Sequence, residues 1–355
     1  MTNAAVTLVA LSAILISSRT VITLTRRSAE TKQLVSSSCE FHFKPQSHDI
    51  SGNQSSVNDR LGFSLSMSQD GNVVAAGDPV NDKLLLVTRA DKTYHWSAPT
   101  VVEGDEEGSP TAFGESVAVS LSLIAVGSTI SLNAKGAVKL YSIQNVSLPF
   151  QRLSGQRAGV RHGDRFGHQI ALDHSGHILV ATAPSHSGVN NDQIKAGAME
   201  VYHRTTHRDR QPFHLLQVIY GNAHDCLGEG GLDISNDGTM IAVSSPLATQ
   251  PGFQFKYQGK VSIYQVLLNT VYLVQTIWGE SSNGHLGLND GVALSNTASR
   301  LAILSQTASH GSTVTFYDNL GISVPFIQIG TPLQGNDSSC KFKSRIRSFR
   351  YTSID

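Results

Sequence analysis

The chain has 355 residues, of which 31 are glycine and only 15% are charged. It is long enough for one large repeat domain or two ordinary ones, and that balance suits a turn-rich all-β protein better than a helical one. Lys+Arg and Asp+Glu both number 27, so no global field directs the chain to nucleic acid or to an acidic surface.

The first segment stands apart. Ala4 to Ile16 is an apolar run of signal-peptide length, closed by Ser17, Ser18 and Arg19, although its start carries no Lys or Arg. Val21 to Leu24 resumes the run up to Arg26-Arg27. Residues 1–27 therefore read as a signal peptide or a signal-anchor, with residues 4–25 as the membrane-anchoring stretch. Residues 28–40 read as a linker. Without the first 27 residues the balance is 24 basic against 27 acidic side chains, an ordinary soluble surface. N-x-S sequons at Asn53, Asn145 and Asn336 fit a secreted or cell-surface protein.

Self-similarity then dominates. Five segments align, beginning at Asp59 (DRLGFSLSMSQDGNVVAAGDP), Ala112 (AFGESVAVSLSLIAVGS), Asp164 (DRFGHQIALDHSGHILVATAP), Asp225 (DCLGEGGLDISNDGTMIAVSSP) and His285 (HLGLNDGVALSNTASRLAILS). Their anchor glycines are Gly62, Gly114, Gly167, Gly228 and Gly287, spaced 52, 53, 61 and 59 residues apart. Within a unit the period is close to two: Ile170 and Leu172 alternate with Ala171 and Asp173, a turn follows, and Ile178 to Ala183 returns. Asp70-Gly71 and Asp237-Gly238 mark hairpin turns. A third strand ends at Tyr141, Tyr202, Tyr264 and Tyr317, with KLLLVT in its place in the first unit. A fourth is visible as PFQRLSG, FHLLQVIYG, VYLVQTIWG and FIQIGTPLQG. Four strands per unit of this length predict one propeller blade, so residues 41–340 are expected to form an all-β propeller of four-stranded blades. The small residues of Val74–Gly77, Ala125–Gly127 and Ala242–Ser245 are expected on the strands crowded nearest the axis. The Phe or Leu before each anchor is expected to wedge between sheets.

Both ends carry fragments of the pattern. Phe41 to Gly52 matches the fourth-strand element, as if an outer strand were supplied to a blade completed elsewhere. Asn336 to Cys340 aligns with Asn58 to Gly62, which makes the tail a partial sixth unit. Lys343, Arg345 and Arg347 would lie on one face of that strand, a costly set to bury, so residues 341–355 read as a basic C-terminal tail or degenerate strand.

The units DRFGHQIALDHSGHILVATAP…GAMEVY and AFGESVAVS…IAVGS…GAVKLY resemble FG-GAP repeats, the blades of the integrin α-chain head. The resemblance covers roughly Phe41 to Gly335 and implies a propeller usually of seven blades; the Phe-Gly pair itself survives only at Phe113-Gly114 and Phe166-Gly167. It also implies a calcium loop of the pattern D-x-D/N-x-D-G-x-x-D between the first two strands. The turns here offer too few carboxylates for a hard cation, Asp233 and Asp237 coming nearest, so hairpin turns without calcium or another cofactor are expected.

The remaining candidates are sparse. Cys39 and Cys340 bracket the repeats and read either as a bridge tying the ends of a ring or, with Cys226, as unrelated thiols. Eight of fourteen histidines fall between His162 and His214; His203 and His207, just beyond a strand, read as loop residues rather than zinc ligands. Glu103 to Glu107 reads as a solvated inter-blade loop. No phosphate loop, G-x-S-x-G elbow or Cys-x-x-C pair is present. The expectation is an extracytoplasmic, non-enzymatic adhesion or binding module that presents propeller loops to a protein or glycan. Two alternatives stand beside it: a carbohydrate-active hydrolase or lyase, which requires carboxylates with Arg or Tyr converging at the axial mouth, and a decayed paralogue without a partner.

Overall fold

The computed structural model describes residues 60–90, 96–104, 110–144, 151–153, 161–188, 194–205, 211–252, 256–267, 270–307, 311–319, 321 and 324–334. They form five antiparallel four-stranded sheets, each in simple sequence order. The first holds β1 (Ser64–Met67), β2 (Val73–Asp78), β3 (Lys83–Thr88) and β4 (Thr100–Glu103). The second holds β5 (Phe113–Val119), β6 (Leu123–Ser128), β7 (Ala137–Ser142) and β8 (Gln151–Leu153). The third holds β9 (Ile170–Leu172), β10 (Ile178–Ala183), β11 (Ala198–His203) and β12 (His214–Tyr220). The fourth holds β13 (Leu232–Ile234), β14 (Met240–Ser245), β15 (Lys260–Leu267) and β16 (Thr270–Trp278). The fifth holds β17 (Val292–Leu294), β18 (Arg300–Thr307), β19 (Gly311–Asp318) and β20 (Ile327–Gln334).

First strands of successive sheets pack against one another, β1 on β5, β5 on β9, β9 on β13 and β13 on β17, so they make the inner ring of a β-propeller. Four apolar clusters fill the four junctions between neighbouring sheets. The expected wedges sit in them: Phe113, Phe166, Leu227 and Leu286 are each buried at successive junctions. The end fragments Phe41 to Gly52 and Asn336 to Cys340, and the tail, lie outside the described residues.

The small-residue segments require a correction. Val74–Gly77, Ala125–Gly127 and Ala242–Ser245 are second strands rather than the strands nearest the axis. Their crowding comes from the next blade. A Cβ on Gly77 would stand 2.1 Å from the carbonyl oxygen of Gly114, and one on Gly127 would stand 2.2 Å from that of Gly167. Beside each such contact a hydroxyl satisfies the same carbonyl. Ser64 Oγ donates to Gly114 O at 2.7 Å and Ser116 Oγ to Gly167 O at 2.6 Å. At the next two junctions the hydroxyl comes from the second strand: Thr182 Oγ1 donates to Gly228 O at 3.1 Å and Ser244 Oγ to Gly287 O at 2.9 Å. Every anchor glycine from Gly114 onward is thus held by its predecessor.

A second joint recurs at the rim. Gln151, Gln217 and Gln275 each use both ends of the side-chain amide on the next blade, on the backbone of Phe213, Val271 and Phe326 respectively. The Gln of PFQ, LLQ and LVQ is therefore a two-point clamp between fourth strands.

The third-strand tyrosines Tyr141, Tyr202 and Tyr264 are buried, Tyr317 is partly buried, and a buried hydroxyl needs a polar partner. Tyr202 donates to fully buried Glu200. The position equivalent to Glu200 is Lys139, also fully buried, with its ammonium 5.2 Å from the Phe113 ring centroid. Burial first, and the Arg152 charge second, pull the Lys139 ammonium down from 10.5 to about 8, against Asp82. Burial pushes the Tyr141 hydroxyl up to about 12.

Two outcomes are expected. Gly127→Ala forces the Gly167 carbonyl and the third blade to shift, and urea unfolding should show a loss of about 2–4 kcal/mol. Gly321→Ala, whose methyl meets only Val324 Cγ2 at 3.6 Å, should lose less than about 0.5 kcal/mol. The second concerns pH. Between about 8 and 10.5 the unfolded chain holds a proton on Lys139 that the folded chain has released, so this group's contribution to stability rises with pH across that window. Lys139→Met should remove the rise, and the stability difference between variant and wild type should shrink by roughly 2 kcal/mol from pH 7.5 to pH 10.

Candidate functional site at the axial mouth

The residue after each anchor glycine stands at the start of the inner strand or in the loop leading into it, and across the five blades it is Phe63, Glu115, His168, Glu229 and Leu288. In the three central blades this position is ionisable, and the structure brings the three side chains together around Arg165. Arg165 Nη2 lies 3.3 Å from Glu115 Oε1, and its Nη1 lies 3.4 Å from Glu229 Oε2. One guanidinium of the third blade therefore spans carboxylates of the second and fourth. His168 Nδ1 lies 3.1 Å from Glu115 Oε1 and 3.0 Å from Arg165 Nη2, while its Nε2 lies 3.2 Å from the Glu229 carbonyl oxygen. A carbonyl can only accept, so the network assigns the hydrogen to Nε2. Thr129 donates to the other Glu115 oxygen.

Burial separates the roles. The Glu115 and His168 side chains are 15% and 14% exposed, while Arg165 and Glu229 are 35% and 33% exposed. Burial pushes the Glu115 carboxyl up, but hydrogen bonds from His168 and Thr129, with the charges of His168 and Arg165, outweigh it and hold the group below its usual range. Glu115 is an ionised post, largely withdrawn from solvent, and Arg165 and Glu229 are the more exposed pair beside it.

The mouth extends across the ring. Gln169 of the third blade donates to Asp290 of the fifth, passing over the fourth. Lys195, Asp225 and Cys226 stand on the flank of Glu229 and Arg165. Cys226 is buried, and burial pushes its thiol up, with Glu229 adding to the effect. Arg165 sits at φ +60°, but so, closely, do its repeat equivalents Ala112, Cys226 and His285. This left-handed conformation belongs to the architecture, where it precedes each wedge residue, and is not strain peculiar to the site.

The calcium candidates divide between two tasks. Asp233 accepts from Leu294 N of the next inner strand at 2.8 Å. Asp237 accepts from Ser235 and Thr239 within its turn, and these bonds outweigh burial to hold it below its usual range. Asp70 closes its own turn through Ser68 and Asn72. Only the glycine of each Asp-Gly turn takes positive φ, Gly71 at +70° and Gly238 at +72°. Among the described residues no three His, Cys, Asp or Glu side chains group to hold a metal ion. His203 ends β11 opposite His214, and Glu103 pairs with Lys83 at 3.6 Å on the surface. His207, Asp105 to Glu107, Cys39, Cys340 and the sequons Asn53, Asn145 and Asn336 lie outside the described residues. Among those described, no helix is long and apolar enough to cross a membrane.

No local motif in the sequence singles out the residues of the mouth. Its signal was the column after the anchor glycine, where Glu, His and Glu stand in successive units; the mouth meets the requirement attached to the hydrolase or lyase alternative.

No protein-family model matches the chain, and no curated protein matches it. Among solved structures, a provisional 6-phosphogluconolactonase from Bacteroides uniformis is 14% identical, with a TM-score of 0.52, covering 76% of this chain and 71% of its own. The Cps50 (Swd1) β-propeller domain of Myceliophteria thermophila is also 14% identical, with a TM-score of 0.48, covering 77% and 72%. At these identities the likeness concerns the fold alone.

Glu115→Gln tests the post. With its folded pKa depressed, the carboxylate stabilises the fold above the usual carboxylate range, and that contribution fades as pH falls through the folded value. The variant should be less stable by about 2 kcal/mol at pH 7, with the gap closing in urea unfolding as pH falls through the folded value.

Proposed function

We propose that the protein is an extracytoplasmic binding module whose axial mouth takes a glycan. The observation that carries this reading is the contrast between columns of the repeat. Positions that join blades keep one chemistry, whereas the position facing the axis carries Phe63, Glu115, His168, Glu229 and Leu288. Chemistry is concentrated where a ligand can reach it. Outward-facing Arg165 and Glu229 supply a donor fork and an acceptor side by side, the pairing that neighbouring sugar hydroxyls satisfy. The apolar run Ala4 to Ile16 and the three sequons support an exported setting, and the FG-GAP-like repeats support a binding role by analogy.

The hydrolase or lyase reading draws support from the same mouth, because Glu115, Glu229 and Arg165 converge there. The hydrolase form of it needs a carboxylic acid kept protonated near neutral pH. Glu115 is shifted the other way. That difference favours binding over bond cleavage.

Calorimetric titration of the purified protein against panels of neutral and acidic oligosaccharides tests the reading. Glu229→Gln should weaken a bound sugar at least tenfold, on the order of 1.4 kcal/mol or more, while Tyr272→Ser on the exposed rim leaves it unchanged. Affinity that survives at the mouth and falls at the rim contradicts the proposal. Release of new reducing ends supports the enzymatic reading instead.

A further inference from the structure

We infer that His168 is a proton-operated switch of the axial mouth, exchanging Arg165 for Glu115 as the partner of Nδ1. The inference rests on the mouth being the binding site. It starts from a conflict of donors and acceptors. Nε2 is committed to the Glu229 carbonyl at 3.2 Å, so only Nδ1 gains or loses a proton. Around Nδ1 stand a donor, Arg165 Nη2 at 3.0 Å, and an acceptor, Glu115 Oε1 at 3.1 Å. No single protonation state satisfies both. Neutral His168 accepts from Arg165 and turns its Nδ1 lone pair toward an ionised carboxylate oxygen. Protonated His168 donates to Glu115 and meets a second donor in Arg165. Each state has one favourable neighbour and one opposed, and titration reverses them.

The surroundings set the direction of movement. The charged groups facing His168 are Glu115 on β5, Arg165 on the loop before β9 and Glu229 on the loop before β13. Lys195 and Asp225 surround Cys226 together with Arg165 and Glu229, and Asp290 approaches through Gln169. Glu115 is fixed by Thr129 and is the more buried partner, whereas Arg165 is more exposed and already reaches Glu229 through Nη1. On protonation the guanidinium is therefore the group that moves, outward over the mouth and pivoting on Glu229. The second and third blades remain joined through His168 and Glu115. The mouth gains one positive charge, and an Nη2 donor previously spent on imidazole and carboxylate turns toward ligand.

The test is long-range proton–nitrogen NMR of the histidine-labelled full protein, without ligand, from pH 5 to pH 8. The expected record for His168 is a pure Nε2–H tautomer at high pH, with Nδ1 alone changing on acidification. Glu115→Gln should lower its midpoint, and Arg165→Met should raise it, each by about one unit. Should Glu115→Gln unfold, Arg165→Met alone carries the test. Mixed tautomers at high pH, or a midpoint that neither variant moves, would overturn the switch. A clean tautomer and shifted midpoints in a protein that binds no sugar would remove the binding reading while leaving the switch in place.

Discussion

Each anchor glycine from Gly114 onward offers its carbonyl to the preceding blade, and each such carbonyl receives one hydroxyl: Ser64, Ser116, Thr182 and Ser244 in turn. The rest of the structure hangs on this contact. A buried carbonyl left without a donor costs about 1–3 kcal/mol, and the hydroxyl meets that need, joined at Gly287 by the Gly231 N–H. A carbonyl so close to the neighbouring blade also needs bare backbone beside it, which Gly77 and Gly127 provide. Hydroxyl and glycine are two halves of one joint. The hydroxyl sits on the inner strand at the first two junctions and on the second strand at the next two, so the function of the position survives while the residue moves. The inner-strand starts are thereby fixed around the axis, and the side chains that follow the anchors converge because of it.

Much of this was legible. The five anchors, the Asp-Gly turns, the third-strand tyrosines and β10 at Ile178 to Ala183 all follow from period-two alternation and the repeat itself, and the wedge residues fell where the pattern put them. Contacts between blades were not legible, because they join residues some fifty positions apart through geometry that no local period encodes. The small residues of Val74–Gly77 therefore suggest the axis, although the crowding comes from Gly114 of the next blade. The glutamines at 151, 217 and 275 were visible as a column, but their two-point grip needs the neighbouring strand to be seen.

The candidate site was missed for a related reason. Glu115, His168 and Glu229 occupy one column, but a search by motif looks for spacing along the chain, and these residues lie one repeat apart. Arg165 shares its position with Ala112, Cys226 and His285, so nothing in its own unit singles it out. Only the closing of the blades around the axis turns three separated side chains and one guanidinium into a cluster with a buried post and an outward fork.

The most direct measurement removes the four hydroxyls one at a time. Ser64→Ala, Ser116→Ala and Thr182→Val should each lower unfolding free energy in urea by about 1–3 kcal/mol, since each removes the hydroxyl from an anchor carbonyl, whereas Ser244→Ala should lose less, because the Gly287 carbonyl also accepts from Gly231 N at 2.9 Å. Losses under about 0.5 kcal/mol in the first three would mean that apolar packing and the glutamine clamps join the blades, and the constraint placing the mouth residues together would lie elsewhere.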